Sequence, residues 1–233
     1  MLFGQPSTTD RWGFSIYGHH LAINADFQGN QIVLTPTFTG AEPNEIDDGS
    51  YKGKAILSRE EHLGLKLMTS LSPTLQSKAQ IFADVNDKSF AQEFETSFPQ
   101  CRWNPADQRH LCGAFQDNRI VPYEGVLMSE LDDSLREILL DTVAEFIVYL
   151  PEQARRNRLQ QVKTHMNETY FSWIGGFGDN DAFYYRIQSP VVICEFDHHS
   201  GVFLVNPEPA KFHIHTIVRS PNGGDYGMAR CRR

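Results

Sequence analysis

"FYYRIQSPVVICEFDHHSG", Phe183 to Gly201, is the stretch whose reading decides the fold. Aromatic and β-branched residues fill two runs, Ser189-Pro190 separates them, and "DHHSG" has the composition of a turn. Outward from it, "TYFSWIGGF" from Thr169, "VFLVN" from Val202 and "KFHIHTIVRS" from Lys211 have the same strand character, with Gly-, Pro- and Asp-rich breaks between them. The beginning of the chain repeats the pattern. "FSIYGHHLAINADFQGNQIVLTPTF", Phe14 to Phe38, holds two β-rich runs with Gly29-Asn30 as a hairpin signal between them. Strands are therefore expected over about 12–39 and 169–219.

The middle reads as helix. Ser58 with Glu61 forms a capping-box pattern ahead of Leu63, Leu67 and Leu71, and Ser72-Pro73 fits the cap and first position of a second helix, giving helices over about 58–82. Residues 84–124 are irregular, with aromatic patches around Trp103 and Phe115. In "SELDDSLREILLDTVAEFIVYL" Ser129 is the expected cap, and Leu131, Leu135, Ile138, Leu139, Val143, Phe146 and Ile147 recur at helical spacing. Pro151 opens a further helix to about Met166, so that helices span about 129–166. Strands at both ends of a helical middle predict an α+β protein: an antiparallel-rich sheet built jointly from the N- and C-terminal strands, in a single domain over 1–233.

Composition excludes some functions. With 29 acidic against 21 basic residues and a net charge of −8, the chain lacks the concentrated basic surface that nucleic-acid binding requires. Its one basic run, Arg155, Arg156 and Arg158, falls on a predicted helix and reads as solvated surface. No segment approaches the roughly 20 apolar residues of a membrane span, and the first residues lack the regions of a signal peptide. The four cysteines show no CxxC pair and read as reduced structural thiols. An intracellular, cytoplasmic protein is expected, acting on a small molecule, with neither nucleic acid nor membrane as partner; homo-oligomerisation is left open.

The chain has nine histidines, and four of them lie between Cys194 and Gly227. Alternation along a strand puts His213, His215, Ile217 and Arg219 on one face, and Phe212, Ile214, Thr216 and Val218 on the other. An H-x-H pair on a strand can bring two imidazoles to one metal, although a lone pair of this kind is ordinarily just a polar face. If residues 202–205 run back as a strand, a three-stranded meander brings Glu195, Asp197, His198 or His199 near that face. His213, His215, Glu195 and His198 are the expected ligands of a divalent ion (zinc, iron or manganese). His20, placed on a strand face with Ala22 and Asn24, joins His199, Arg219 and Asp225 as a candidate catalytic group. Arg219 either orients an anionic substrate or pairs with Asp225 to lock the loop. Asn222, Tyr185 and Trp173 are candidate substrate contacts, the two aromatics fitting the core equally well. No HExxH and no Walker loop is present.

"WGFSIYGHHLAIN", "TPTFTGAEP", "YFSWIGG", "FYYRIQSPVVICEFDHH" and "HIHTIVRSPNGGDYG" together resemble the signature blocks of the family called domain of unknown function 3500, from about Trp12 to Gly227. The resemblance implies that the paired histidines His19 and His20, the strand His213 to Thr216 and the loop Arg219 to Gly227 meet in one site. It departs at Gly224, where the family loop carries Asn, and the family continues into a polar tail beyond "MARCRR", so the expectation includes altered activity. Three readings stand. The first is a small-molecule enzyme whose metal acts as Lewis acid or activates water or oxygen. The second is a metal-free isomerase, lyase or hydrolase with a histidine whose acid/base character an acid tunes. The third is a non-catalytic ligand-binding protein.

Overall fold

The N-terminal stretch with its hairpin signals forms five antiparallel strands. A computed structural model of the chain describes residues 1–85, 121–201 and 207–231. In it β1 is Leu2–Phe3, β2 Arg11–Gly18, β3 Leu21–Gln28, β4 Gln31–Val33 and β5 Thr37–Ala41. Gly29 and Asn30 close the β3–β4 turn as expected, Gly29 at a φ of 58°. The β2–β3 turn was not foreseen: Gly18 pairs with Leu21, so His19 and His20 are the two turn residues and not part of a strand.

The helices follow as α1 (Ser58–Ser70), α2 (Pro73–Ala79), α3 (Asp133–Phe146) and α4 (Glu152–Thr164). Ser72 accepts a hydrogen bond from Leu75 N, with Pro73 in the first turn, as its sequence predicts. Two expected caps are displaced. Leu57, in a left-handed conformation, precedes α1 without a side-chain cap, and Asp132 in place of Ser129 accepts from Leu135 N at 2.9 Å. Ser129 lies in a separate 3-10 turn, Met128–Glu130. The α3 stripe is as read, with Leu135, Leu139, Val143 and Phe146 buried. On α1 the buried line runs through Glu60, Gly64, Leu67 and Met68, and Leu63 is at its margin. Gly64 sets this line, because a Cβ there would lie 2.1 Å from the Tyr185 ring.

The remaining strands are β6 (Gln80–Phe82), β7 (Val126–Leu127), β8 (Tyr170–Gly175), β9 (Phe183–Gln188), β10 (Ile193–His198) and β11 (Ile214–Arg219). Among the described residues all strands join one sheet in the order β1-β2-β3-β5-β11-β10-β9-β8-β6, with β4 beside β3 and β7 beside β8. Every pairing is antiparallel except β6 with β8. The two ends of the chain thus share one sheet, and they meet where β5 pairs with β11. β10 pairs directly with β11, so these two are not the outer strands of a three-stranded meander; the expected strand at 202–205 lies outside the described residues, as do the patches at Trp103 and Phe115.

One face of the sheet carries Phe171, Trp173, Phe183, Tyr185, Phe196, Ile214 and Val218, and α1 and α3 cover it with Leu67, Met68, Leu139 and Val143. Cys194 is a free buried thiol within this core. Ile174, Tyr184 and Ile193 pack with Val121 on the other face. No helix among the described residues is long and apolar enough to cross a membrane.

Candidate functional site

Register decides which polar side chains meet. Across β10 and β11 Asp197 faces His215 and His198 faces Ile214. The ladder continues beyond the strands, with His199 N donating to His213 O at 2.8 Å. Directly opposed residues share a face, and successive residues alternate. Asp197, His199, His213 and His215 therefore stand together, with His198 on the opposite face. On the other side of β11, Gly40 of β5 pairs with His215, and Gly40 N donates to His20 O at 3.0 Å. This bond draws the β2–β3 turn to the same end of the sheet. A Cβ on Gly40 would lie 2.8 Å from Cδ2 of both His20 and His215, so only glycine lets these rings approach.

Four imidazoles result, packed edge to face or tilted. His213 has its ring centroid 5.2 Å from His20, 5.1 Å from His199 and 4.7 Å from His215. His199 and His215 are 4.3 Å apart. Second partners fix two tautomers. His213 Nδ1 is 2.7 Å from Ser200 O, a carbonyl that only accepts, so this nitrogen carries the proton and Nε2 offers a lone pair. His199 Nδ1 is 3.0 Å from the buried carboxylate of Asp197, which likewise leaves Nε2 as the basic nitrogen. Such carboxylate–imidazole and carbonyl–imidazole contacts hold metal-ligating histidines in proteins generally.

Charge is disfavoured here. Burial, then His19 and His213, bring the His20 pKa down from 6.5 to about 4. Burial lowers that of His213 as well, against the opposing pull of Glu42, whose carboxylate is 3.7 Å from Nδ1. Neutral imidazoles are the metal-binding form. One donor atom from each of His20, His213 and His215 lies within 4.8 Å of the others, and the same holds for Asp197, His199 and His215. The His20 and His213 Nε2 atoms are 3.2 Å apart. Tetrahedral ligands at 2.0–2.1 Å from zinc are separated by about 3.3 Å, so this spacing suits a shared ion. It suits a hydrogen bond as well, with His20 as donor.

The other sequence candidates lie elsewhere. His198, expected as a ligand, points into the helix-covered face, where its Nδ1 accepts from Phe183 N at 3.0 Å and Glu61 Oε1 is 3.3 Å from its Nε2. Burial opposes ionisation of Glu61, but His198 and Lys211 outweigh it and lower its pKa. Glu195 shares the cluster's face but sits two residues further along; it accepts from Tyr184 OH at 2.6 Å, and Tyr184 in turn accepts from Arg186. Trp173 and Tyr185 are fully buried in the apolar core, the Tyr185 hydroxyl donating to Glu60 O. Arg219 pairs with Asp225 at 2.6 Å at the far end of β11, about 13 Å from His215 at roughly 3.3 Å per residue. Asn222 is exposed on the loop there, its Nδ2 directed at Pro190 O. Sequence reasoning named His20, His199, His213 and His215, but it preferred Glu195 to Asp197 and passed over Gly40, Glu42 and Ser200. The signal for Asp197 was present in the D-x-H spacing to His199, a carboxylate and an imidazole on one strand face.

Fold and site define a class: an α+β protein with a buttressed histidine cluster at one end of a mostly antiparallel sheet. The chain belongs to the family described as "Protein of unknown function (DUF3500)", whose model matches residues 1–228, as the sequence blocks implied. No curated protein and no solved structure matches the chain.

Proposed function

We propose that the protein is a metal-dependent enzyme acting on a small molecule, with a divalent ion held by His20, His213 and His215. The observation that carries this reading is the pair of Nε2 atoms at 3.2 Å, one of them shown by its Ser200 contact to be a lone pair. Three neutral imidazoles would hold zinc, iron or manganese and leave room for water or substrate to bind it. When bound, such an ion would supply Lewis acidity or lower the pKa of a coordinated water. Next to it, His199 is positioned by Asp197 to take or return a proton at Nε2, as a general base. His20 and His215 are only partly buried, so a substrate can reach the ion from the side of the β2–β3 turn.

The Asp197–His199 contact also supports a second reading, metal-free acid/base catalysis on the same face. Elemental analysis of untagged protein separates the two. The metal reading expects close to one ion per chain in the wild type and none in His213→Ala/His215→Ala. A folded wild type that neither retains an ion nor binds zinc, manganese or ferrous iron when these are added would overturn it in favour of the second.

A further inference from the structure

The basic run on α4 is not uniformly solvated surface. Arg156 pairs with Glu152 one turn away. Arg158 turns inward, and its Nη1 donates to Val191 O at 2.6 Å. Burial lowers its pKa, and the other group acting on it is the thiol of Cys194, which burial keeps protonated. In a chain with 29 acidic residues, no described carboxylate meets this guanidinium. A guanidinium presents five N–H donors, and a single carbonyl leaves most of them unused.

Arg158 borders a cleft of about 730 Å³ between α4, the β3–β4 turn with β4, the β9–β10 turn and the loop after β11. Asn157, Gln161, Pro190, Ser220 and Gly224 contribute to its walls, and every other described residue lining it is uncharged. The volume is that of a small-molecule site, generally about 300–1,000 Å³. One partly desolvated cation in a neutral, amide-rich cleft selects for an anion, and a planar guanidinium matches the paired oxygens of a carboxylate or phosphate. The cleft adjoins Ser220, at the opposite end of β11 from the histidine cluster.

We propose that this cleft is a second binding site, separate from the histidine cluster, which takes a small molecule through its carboxylate or phosphate oxyanion with Arg158 as the anchor. Inorganic phosphate and succinate are the probes, each titrated calorimetrically into the full-length protein. Saturable binding of either is expected, and the stronger of the two tells phosphate from carboxylate chemistry. Arg158→Gln should weaken it about tenfold or more, the effect of removing a charged hydrogen-bond donor. Gln161→Glu tests the same point without touching the Val191 contact. It places a carboxylate three residues along α4, within reach of Arg158, where it competes with the ligand. If Arg158→Gln does not fold, Gln161→Glu decides. Absence of binding by both probes, or binding that the folded variants leave unchanged, overturns the proposal.

Discussion

The two ends of β11 carry similar polar residues in sequence and opposite physics in the fold. At the loop end, Arg219 and Asp225 are buried and satisfy one another: Nε donates to Oδ2 at 2.6 Å, and the second carboxylate oxygen accepts from Ser220 N at 2.8 Å. At the histidine end, the groups nearest each ring are other bases. His213 and His199 have each committed one nitrogen to an acceptor, and donor atoms of His20, His213 and His215 converge in one group while those of Asp197, His199 and His215 converge in a second. A closed donor–acceptor pair holds backbone in place, whereas converging acceptors call for a proton or a cation. The Arg219 loop is therefore a closed structural pair, and the histidine end is where the proposed chemistry is placed.

The largest expected effect tests the structural end. Asp225→Ala removes the carboxylate that the buried Arg219 guanidinium pairs with, and breaking a buried pair generally costs about 3–5 kcal/mol. Chemical denaturation should show that loss, while metal content per folded chain stays at the wild-type value. Loss of metal with stability retained would reverse the assignment of the two ends. Asp197→Asn should do the opposite: because Asp197 holds His199, the proposed base, and none of the proposed ligands, stability and metal affinity should change little while turnover falls by about 10–100-fold, as removal of buttressing groups does elsewhere. A competition titration with a chromophoric chelator reads the affinity directly.

Gly40→Ala sharpens the same contrast by geometry alone. The new methyl would meet His20 and His215 at 2.8 Å and Ile214 O at 2.9 Å, so the two rings must part or the β5–β11 pairing must yield. Weaker metal binding by about tenfold or more is expected, the range seen when positioning groups are disturbed. Gly224→Ala at the other end provides the control: its methyl would meet Ser220 Cβ at 3.0 Å, and no histidine lies among its near neighbours. Metal binding there should be unchanged.

Much of the fold was legible because it rests on local patterns. The α3 stripe, the Ser72-Pro73 helix start and the Gly29-Asn30 turn each follow from side-chain spacing or backbone preference over a few residues. The joining of the two ends in one sheet was inferred from their shared strand character, and β5 beside β11 bears it out. The site was legible by composition and not by partner. Whether His198 or His199 joins His213 depends on the register of β10 against β11, and a shift of one residue exchanges the faces. "GHHL" looked like strand because β-rich residues flank it on both sides. That it is a turn follows from Gly18 pairing with Leu21, a non-local fact. Gly40 was invisible for a similar reason, since its importance lies in rings contributed by two other strands' ends.

The smallest effect concerns pH, and its sign distinguishes a cluster of bases from a closed ion pair. His20 is held near a pKa of about 4 by burial and by neighbouring imidazoles, against 6.5 for a free side chain. As pH falls from about 6.5 towards 4, the unfolded chain takes up a proton at His20 that the folded chain resists, so stability drops through that window and the full penalty is present below it. Screening at the partly exposed turn limits the His20 share to about 1 kcal/mol. His213, lowered in the same direction, adds to the fall. The comparison to make is the melting temperature of metal-free protein between pH 7 and pH 4.5, for wild type and His20→Gln. The variant cannot titrate at this position, so its curve should be flatter than that of the wild type. Added zinc should raise the wild-type melting temperature at pH 7 and do so less at pH 5, where protons compete for the same nitrogens. Equal slopes for wild type and variant would mean that His20 is not held neutral by its neighbours, and the contrast between the two ends of β11 would then rest on the ion pair alone.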